Sequence, residues 1–401
     1  MKNNYTTIGA ITEIYDGPHA TPKKTEFGPY FLSISSLEKG RFDLSKSAFL
    51  NEADFKKWTK RVTPQKGDLL FSYETRLGEA ALMPDGIRAC LGRRMGLLRL
   101  KSNKVIPEYL LYAYLSPEFQ QTIISNTVRG ATVDRIALNE MAGFNIRIPN
   151  IDEQNKVAKL LTSIDAKIEL NNRINTELEA MAKTLYDYWF VQFDFPDANG
   201  KPYKTSGGKM VYNSALKREI PEGWSADIVG NVLGKTPASN KVLNQEILLT
   251  GSIPVIDQSK DYICGFTDDK SALIKPTQPH IVFGDHTRIV KLVNFEYARG
   301  ADGTQVLISN NKRMPGYLLY QTVAGIDLSN NGYARHFKFL KDSMIVIPND
   351  AIAARYHGAV TPWFEKIKEG VFENQQLMLF RDWLLPMLMN GQVTVVNKDD
   401  I

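Results

Sequence analysis

The sequence predicts an α+β fold, mixed helix and strand, built twice: two globular domains, each followed by a long helix. Two observations predict it. Ile106-Pro107-Glu108-Tyr109-Leu110-Leu111-Tyr112 returns as Met314-Pro315-Gly316-Tyr317-Leu318-Leu319-Tyr320, and Ile146-Arg147-Ile148-Pro149-Asn150 returns as Ile345-Val346-Ile347-Pro348-Asn349. In each copy the second motif opens a helix-like segment of similar length and pattern. Pro149 and Pro348 lie 199 residues apart, far beyond a solenoid period, so the repeating unit is a whole domain with its helix.

Residues 1–149 form the first globular domain. Short β-like runs such as Asp68-Leu69-Leu70-Phe71-Ser72-Tyr73 and Gly96-Leu97-Leu98-Arg99-Leu100 alternate with Gly/Pro turns, and one helix-like stretch covers 107–124. The pattern changes at Asn150. Asn150 is a candidate N-cap with Glu153 three residues on, the capping-box spacing, and Asp152 and Glu153 occupy the first turn where the helix dipole favours them.

The helical segment 150–193 carries no Pro or Gly as far as Trp189. Val157, Leu161, Ile164, Ile168, Asn171, Asn175, Leu178, Ala182, Leu185 and Trp189 follow alternating steps of four and three, a coiled-coil seam. A ~39-residue helix spans roughly 58 Å. Residues 194–223, rich in Gly, Pro, Lys and Ser, read as a linker; 224–348 form the second domain, 349–393 the second helix and 394–401 a tail. Shifting the first seam by the repeat length places Val360, Trp363, Ile367, Gly370, Asn374, Leu377, Leu384 and Leu388 on the second helix, with Asn374 matching Asn175. Buried asparagines at seam positions weaken a helix pair but fix its register and partner.

Charge follows this division. Residues 1–150 carry net +6 and 224–348 net +2, whereas 151–223 and 349–401 carry −1 and −2. A polyanion would meet the globular blocks first. No apolar run reaches the ~18 residues that cross a membrane, and Met1-Lys2-Asn3-Asn4-Tyr5 lacks the apolar core of a secretory signal. Cys90 and Cys264 are too few for a disulfide framework and too isolated for a zinc site. A reducing cytoplasm is the expected compartment.

Catalytic signatures are missing. Neither an Asn/Asp-Pro-Pro-aromatic tetrapeptide nor a Gly-rich cofactor loop is present, and His19, His280, His286, His336 and His357 are scattered without metal-ligand spacing, so no metal site is expected. Asp165-Ala166-Lys167 looks like a nuclease fragment but lies on the long helix, where a solvated face accounts for it. Ser206-Gly207-Gly208-Lys209 lacks the glycine spacing and following Ser/Thr of a phosphate loop.

What remains are loops with donors suited to phosphates and base edges. Arg and Lys can reach guanine, Asn and Gln adenine, and hydroxyls the backbone. In the first domain the candidates are His19, Thr21, Lys23, Lys24, Tyr73, Arg76, Arg93, Arg94, Arg129, Thr132 and Arg135. In the second they are Lys235, Gln258, Lys260, His286, Arg288, Arg299, Arg335 and His336. Candidate helix-pairing and docking positions are Ile164, Ile168, Asn171, Asn175, Leu178, Leu185, Trp363, Ile367, Asn374, Leu377 and Leu384. A stand-alone DNA-modifying or DNA-cleaving enzyme and a protein-binding helical scaffold are the rival readings; the absent motifs oppose the first.

In order along the chain, Asp16-Gly17-Pro18-His19-Ala20-Thr21-Pro22, Gly130-Ala131-Thr132, Asp152-Glu153-Gln154, Lys167-Ile168-Glu169-Leu170-Asn171-Asn172-Arg173-Ile174-Asn175, Trp189-Phe190, Gly200-Lys201-Pro202-Tyr203-Lys204 and Ile220-Pro221-Glu222-Gly223-Trp224 resemble the specificity subunit of type I restriction-modification systems. The resemblance covers essentially the whole chain. It implies two target-recognition domains at opposite ends of a long antiparallel two-helix coiled coil, related by a pseudo-two-fold repeat. Each domain would read one half of a split, asymmetric double-stranded DNA site, with the helix pair as ruler. It also implies docking of two methyltransferase subunits, which would carry S-adenosylmethionine and flip the target adenine. A motor-nuclease subunit would complete the restriction complex, and this chain itself would bind no cofactor. One departure is that the second helix opens with Asp350-Ala351-Ile352-Ala353-Ala354-Arg355 instead of Asp-Glu-Gln.

Overall fold

Leu69-Leu70-Phe71-Ser72 is an unbroken buried run, and the structure gives the reason: it is an inner strand covered on both faces. The structure, a computed structural model, describes residues 4–38, 40–130, 133–236, 238–329, 332 and 335–396. It divides into two units, 1–169 with 374–401 and 170–373, so each long helix contributes to both.

In the first unit, an antiparallel sheet runs Thr12–Asp16, Met95–Leu100, Leu69–Ser72, Ala80–Leu82. Period-two alternation sends its residues to two cores. Leu69, Phe71 and Leu98 join the core shared with the helices, while Leu70, Leu97 and Met95 pack with Leu32, Leu37 and Met83 on the other face. Pro107 and Pro117 start the two helices that cover the sheet, Pro107–Leu115 and Pro117–Ser125, where a missing N–H costs nothing.

The second unit repeats the plan. Val290–Val293, His280–Gly284 and Thr304–Leu307 form the corresponding antiparallel sheet. Ile281, Phe283 and Leu307 face the helical core; Val282, Val293 and Val306 face a second cluster around Ile256 and Tyr297. Ser225–Ile228 pairs with Met344–Ile347 as Tyr5–Thr7 pairs with Asn145–Arg147. Both pairings deliver the chain to a long helix.

Those helices are Ile151–Tyr186 and Asp350–Met389. They run antiparallel. In the second unit the Tyr356 hydroxyl donates to Ala182 O at 3.1 Å, and Asn171 Nδ2 donates to Glu373 at 2.8 Å. In the first, Arg381 pairs with Asp165 at 2.7 Å. Val157, Leu161, Ile164, Ile168, Asn171, Val360, Ile367, Asn374, Leu384 and Leu388 are buried, whereas Asn175, Leu178, Leu185, Trp363 and Leu377 are half-buried. Phe364 takes the more enclosed place beside Trp363. Asn175 lies where Gly370 brings the helices close: a Cβ at 370 would sit 2.7 Å from its side-chain oxygen. The first helix ends in a wide π turn, Asp187–Val191, which swings Trp189 and Phe190 against Tyr356.

Three local expectations need correction. Asp165 is not on a solvated face, because it accepts hydrogen bonds from Tyr112 at 2.6 Å and Arg381 at 2.7 Å. The capping box is half formed: Asn150 accepts the Glu153 amide at 2.9 Å, but the Glu153 carboxylate turns away to Arg147 at 2.7 Å. The 194–223 stretch, polar enough to suggest an open linker, is packed. Its aromatic residues decide this, with Phe195 stacked between Tyr203 and Trp224 at 4.6 and 5.0 Å and a hairpin joining Met210–Asn213 to Arg218–Pro221. Among the described residues no helix is long and apolar enough to cross a membrane.

Candidate nucleic-acid interface

Each inner strand ends in a loop that repeats a pattern not evident from the motifs above. Phe71-Ser72-Tyr73-Glu74-Thr75-Arg76 and Phe283-Gly284-Asp285-His286-Thr287-Arg288 align on the two corresponding strands, Leu69–Ser72 and His280–Gly284. Both turn through a left-handed residue, Thr75 at φ 72° and Arg288 at φ 62°. Neither is glycine, so surrounding bonds must hold these turns.

In the first domain those bonds are ionic and main-chain. Glu74 pairs with Arg94 at 3.2 Å, Arg94 also reaches the Thr75 hydroxyl, and Ile136 N donates to Tyr73 O at 2.8 Å. Arg76 is drawn back to Ile34 O and Glu79. The loop is thereby joined to 134–136, next to exposed Arg129 and Arg135. A separate basic hollow of about 310 Å³ gathers Thr21, Lys24 and Arg93 with Lys46 and the hydroxyl-bearing Ser33, Ser45 and Ser47. This mixture of cations and hydroxyls suits a phosphate backbone. His19 and Arg61 both approach Asp16, at 3.5 and 2.6 Å, and Lys23 is exposed. Thr132 lies outside the described residues.

In the second domain, Lys235, Lys260, His286, Arg288 and Arg335 are exposed. Four other candidates are spent on the fold. Tyr73 in the first domain and His336 in the second are buried, and the His336 amide donates to Asp285 O at 3.0 Å as a short helix begins. Arg299 lies on an inner strand with its Nε buried, and Gln258 has its amide engaged at both ends. Arg76 and Arg94 join this group in part, because their guanidinium groups brace loops. Burial or local pairing removes such side chains from easy reach of a base edge.

Sequence reasoning missed Lys291. It is buried mid-strand and donates to Asp257 O at 2.8 Å and Asp261 O at 2.5 Å. A lysine inside the apolar run Ile289-Val290-Lys291-Leu292-Val293 was the available signal. Burial pulls its ammonium below the usual lysine range, with Asp257 opposing that shift. Burial also works against the Asp257 carboxylate, yet the Ser259 donors leave it below the usual carboxylate range. The thiols offer no nucleophile: burial pushes Cys90 and Cys264 up to about 12. Among the described residues no group of His, Cys, Asp and Glu side chains could hold a metal ion.

The fold is a duplicated one, with basic and polar loops at the strand ends of each domain and two long antiparallel helices. Residues 25–180 match the model of the type I restriction modification DNA specificity domain. The chain is 24% identical over 371 residues to the MjaIX type I restriction enzyme specificity subunit of Methanocaldococcus jannaschii, covering 86% of this chain and 82% of that protein. It is 23% identical over 404 residues to the HindI specificity subunit of Haemophilus influenzae, with 82% and 87% covered. The fold resembles the S subunit of a type I restriction-modification system from M. genitalium, with TM-score 0.59, 16% identity and 97% of both chains covered. The chain is thus similar, along most of its length, to specificity subunits of type I restriction-modification systems.

Proposed function

We propose that each globular domain reads one half of a bipartite, asymmetric DNA site, while the helix pair sets the gap between the halves. The repeated Phe-to-Thr-Arg loop carries this reading. The same strand end is presented in both domains, but exposed His286 in one stands where Glu74, paired with Arg94, stands in the other. Shared scaffolds with different side chains are what two different half-sites require. The helix pair docks two methyltransferase subunits, which bind S-adenosylmethionine and extrude the target adenine. A motor-nuclease subunit joins them for restriction.

Exchanging residues 1–148 for the first domain of another family member tests the reading. Mapping modified adenines in cellular DNA should show one half of the methylated sequence altered and the other retained. A change in both halves would sink the modular assignment. Binding of the assembled complex should also weaken steeply with salt, because phosphate contacts release counterions.

A further inference from the structure

Gln258 is the residue type that reads adenine, yet its amide is already oriented by its own protein. Its Oε1 accepts the His286 amide at 3.2 Å, its Nε2 donates to Asp302 O at 2.9 Å, and its main-chain oxygen accepts the Thr287 hydroxyl at 2.8 Å. Three loops, 257–261, 284–288 and 301–303, therefore meet at one side chain. The approach is close. A Cβ at Gly303, which stands at φ 72°, would lie 2.7 Å from Gln258 Nε2, and one at Gly300 would lie 2.6 Å from Asp257 Cβ.

Lys291 secures the same loop from beneath. Its ammonium bonds the main-chain oxygens at both ends of the loop, Asp257 O and Asp261 O, and stands 3.7 Å from the Asp257 carboxylate. That carboxylate accepts the Ser259 amide at 2.9 Å, and the Tyr262 hydroxyl donates to Leu292 O. A lysine with three donors and almost no exposure is directed entirely inward. Two left-handed residues, Arg288 and Asp302, sit on the loops so joined. Facing outward from the three loops are the donors Lys260, His286, Thr287 and Arg288, with the acidic Asp261 and Asp302 at the loop edges.

We infer that Gln258 and Lys291 are positioning residues for sequence readout by the second domain, fastening three loops into one preorganised surface on which Lys260, His286, Thr287 and Arg288 make the DNA contacts. The inference rests on the two-reader function proposed above and assigns Gln258 a role opposite to that expected from its residue type. Preorganisation matters because a misplaced loop shifts several base contacts together.

The test uses the complete complex in cells, with modified adenines mapped for Gln258→Ala, Lys291→Met and the double variant. Gln258→Ala should relax preference by about tenfold at two or more positions of the second half-site and leave the first half-site unchanged. Lys291→Met should relax the same positions, and the double variant should be no worse than the more affected single one. If Lys291→Met fails to fold, Gln258→Ala still decides. Relaxation at one position only makes Gln258 a base reader and overturns the proposal, as does unchanged preference in an intact Gln258→Ala complex. A shift in both half-sites overturns it together with the two-reader function, and the domain exchange then tells which was at fault.

Discussion

At the scale of single residues, type alone predicted chemistry that burial then reassigned. His336, Tyr73 and Gln258 carry groups that can meet a base, but two are buried and the third is bonded to two neighbouring loops. Sequence cannot show which donors the fold consumes, because that depends on neighbours distant along the chain. His280 shows the same effect on acidity. It is buried beside the Tyr297 hydroxyl at 3.1 Å, and burial lowers its pKa to about 4 from the usual 6.5. Between those values the unfolded chain binds a proton that the folded chain refuses. Its contribution is therefore fully present above pH 6.5 and lost as pH falls toward 4, amounting to about 3 kcal/mol there. His280→Gln, which keeps a partner for Tyr297, should flatten this dependence. Urea unfolding of parent and variant at pH 7 and 4.5 checks it; equal losses in both would count against the assignment.

At the scale of elements, the long helices and their starts were legible, and their attachments were not. Asn150 and Asn349 cap the two helices alike, accepting the Glu153 and Ile352 amides at 2.9 Å each. The duplicated Ile-Pro-Asn motifs made that visible. The missing Glu-Gln at the second start has a physical counterpart elsewhere. In the first domain Gln154, buried, donates to Pro149 O and Lys104 O and accepts the Ile106 amide at 2.9 Å. In the second, Arg313 supplies the equivalent bond from the loop side, donating to Pro348 O and to Ile347 O. The same carbonyl is satisfied from opposite partners, which a linear motif search misses. Gln154→Ala would strand the Ile106 amide and two carbonyls and should cost about 2 kcal/mol. Thermal melting should fall by several degrees. A variant that melts with the parent would show that water replaces those bonds.

At the scale of the molecule, the repeat was legible because whole motifs recur, whereas the packed 194–223 segment was hidden by its polar composition and revealed by Phe195, Tyr203 and Trp224. The seam's register provides a test of the ruler role proposed for the helix pair. Positions approach in antiparallel order, with Asn171 bonded to Glu373 and Asn175 set against Gly370. Four residues inserted after Asn172 alone would slide one seam about 6 Å along an unlengthened partner and so break their register. The informative variant therefore inserts four helix-forming residues in both helices, after Asn172 and after Phe372, which keeps Asn171 opposite Glu373. Each addition lengthens its helix by about 6 Å. At 3.4 Å per base pair the gap in the methylated site should widen by about two base pairs, with both half-sites unchanged. The single insertion, by contrast, should lower stability before it alters the gap. Sequencing of modified adenines reports both quantities at once, and a gap that stays fixed in a folded double insertion would remove the helix pair as the measure of spacing.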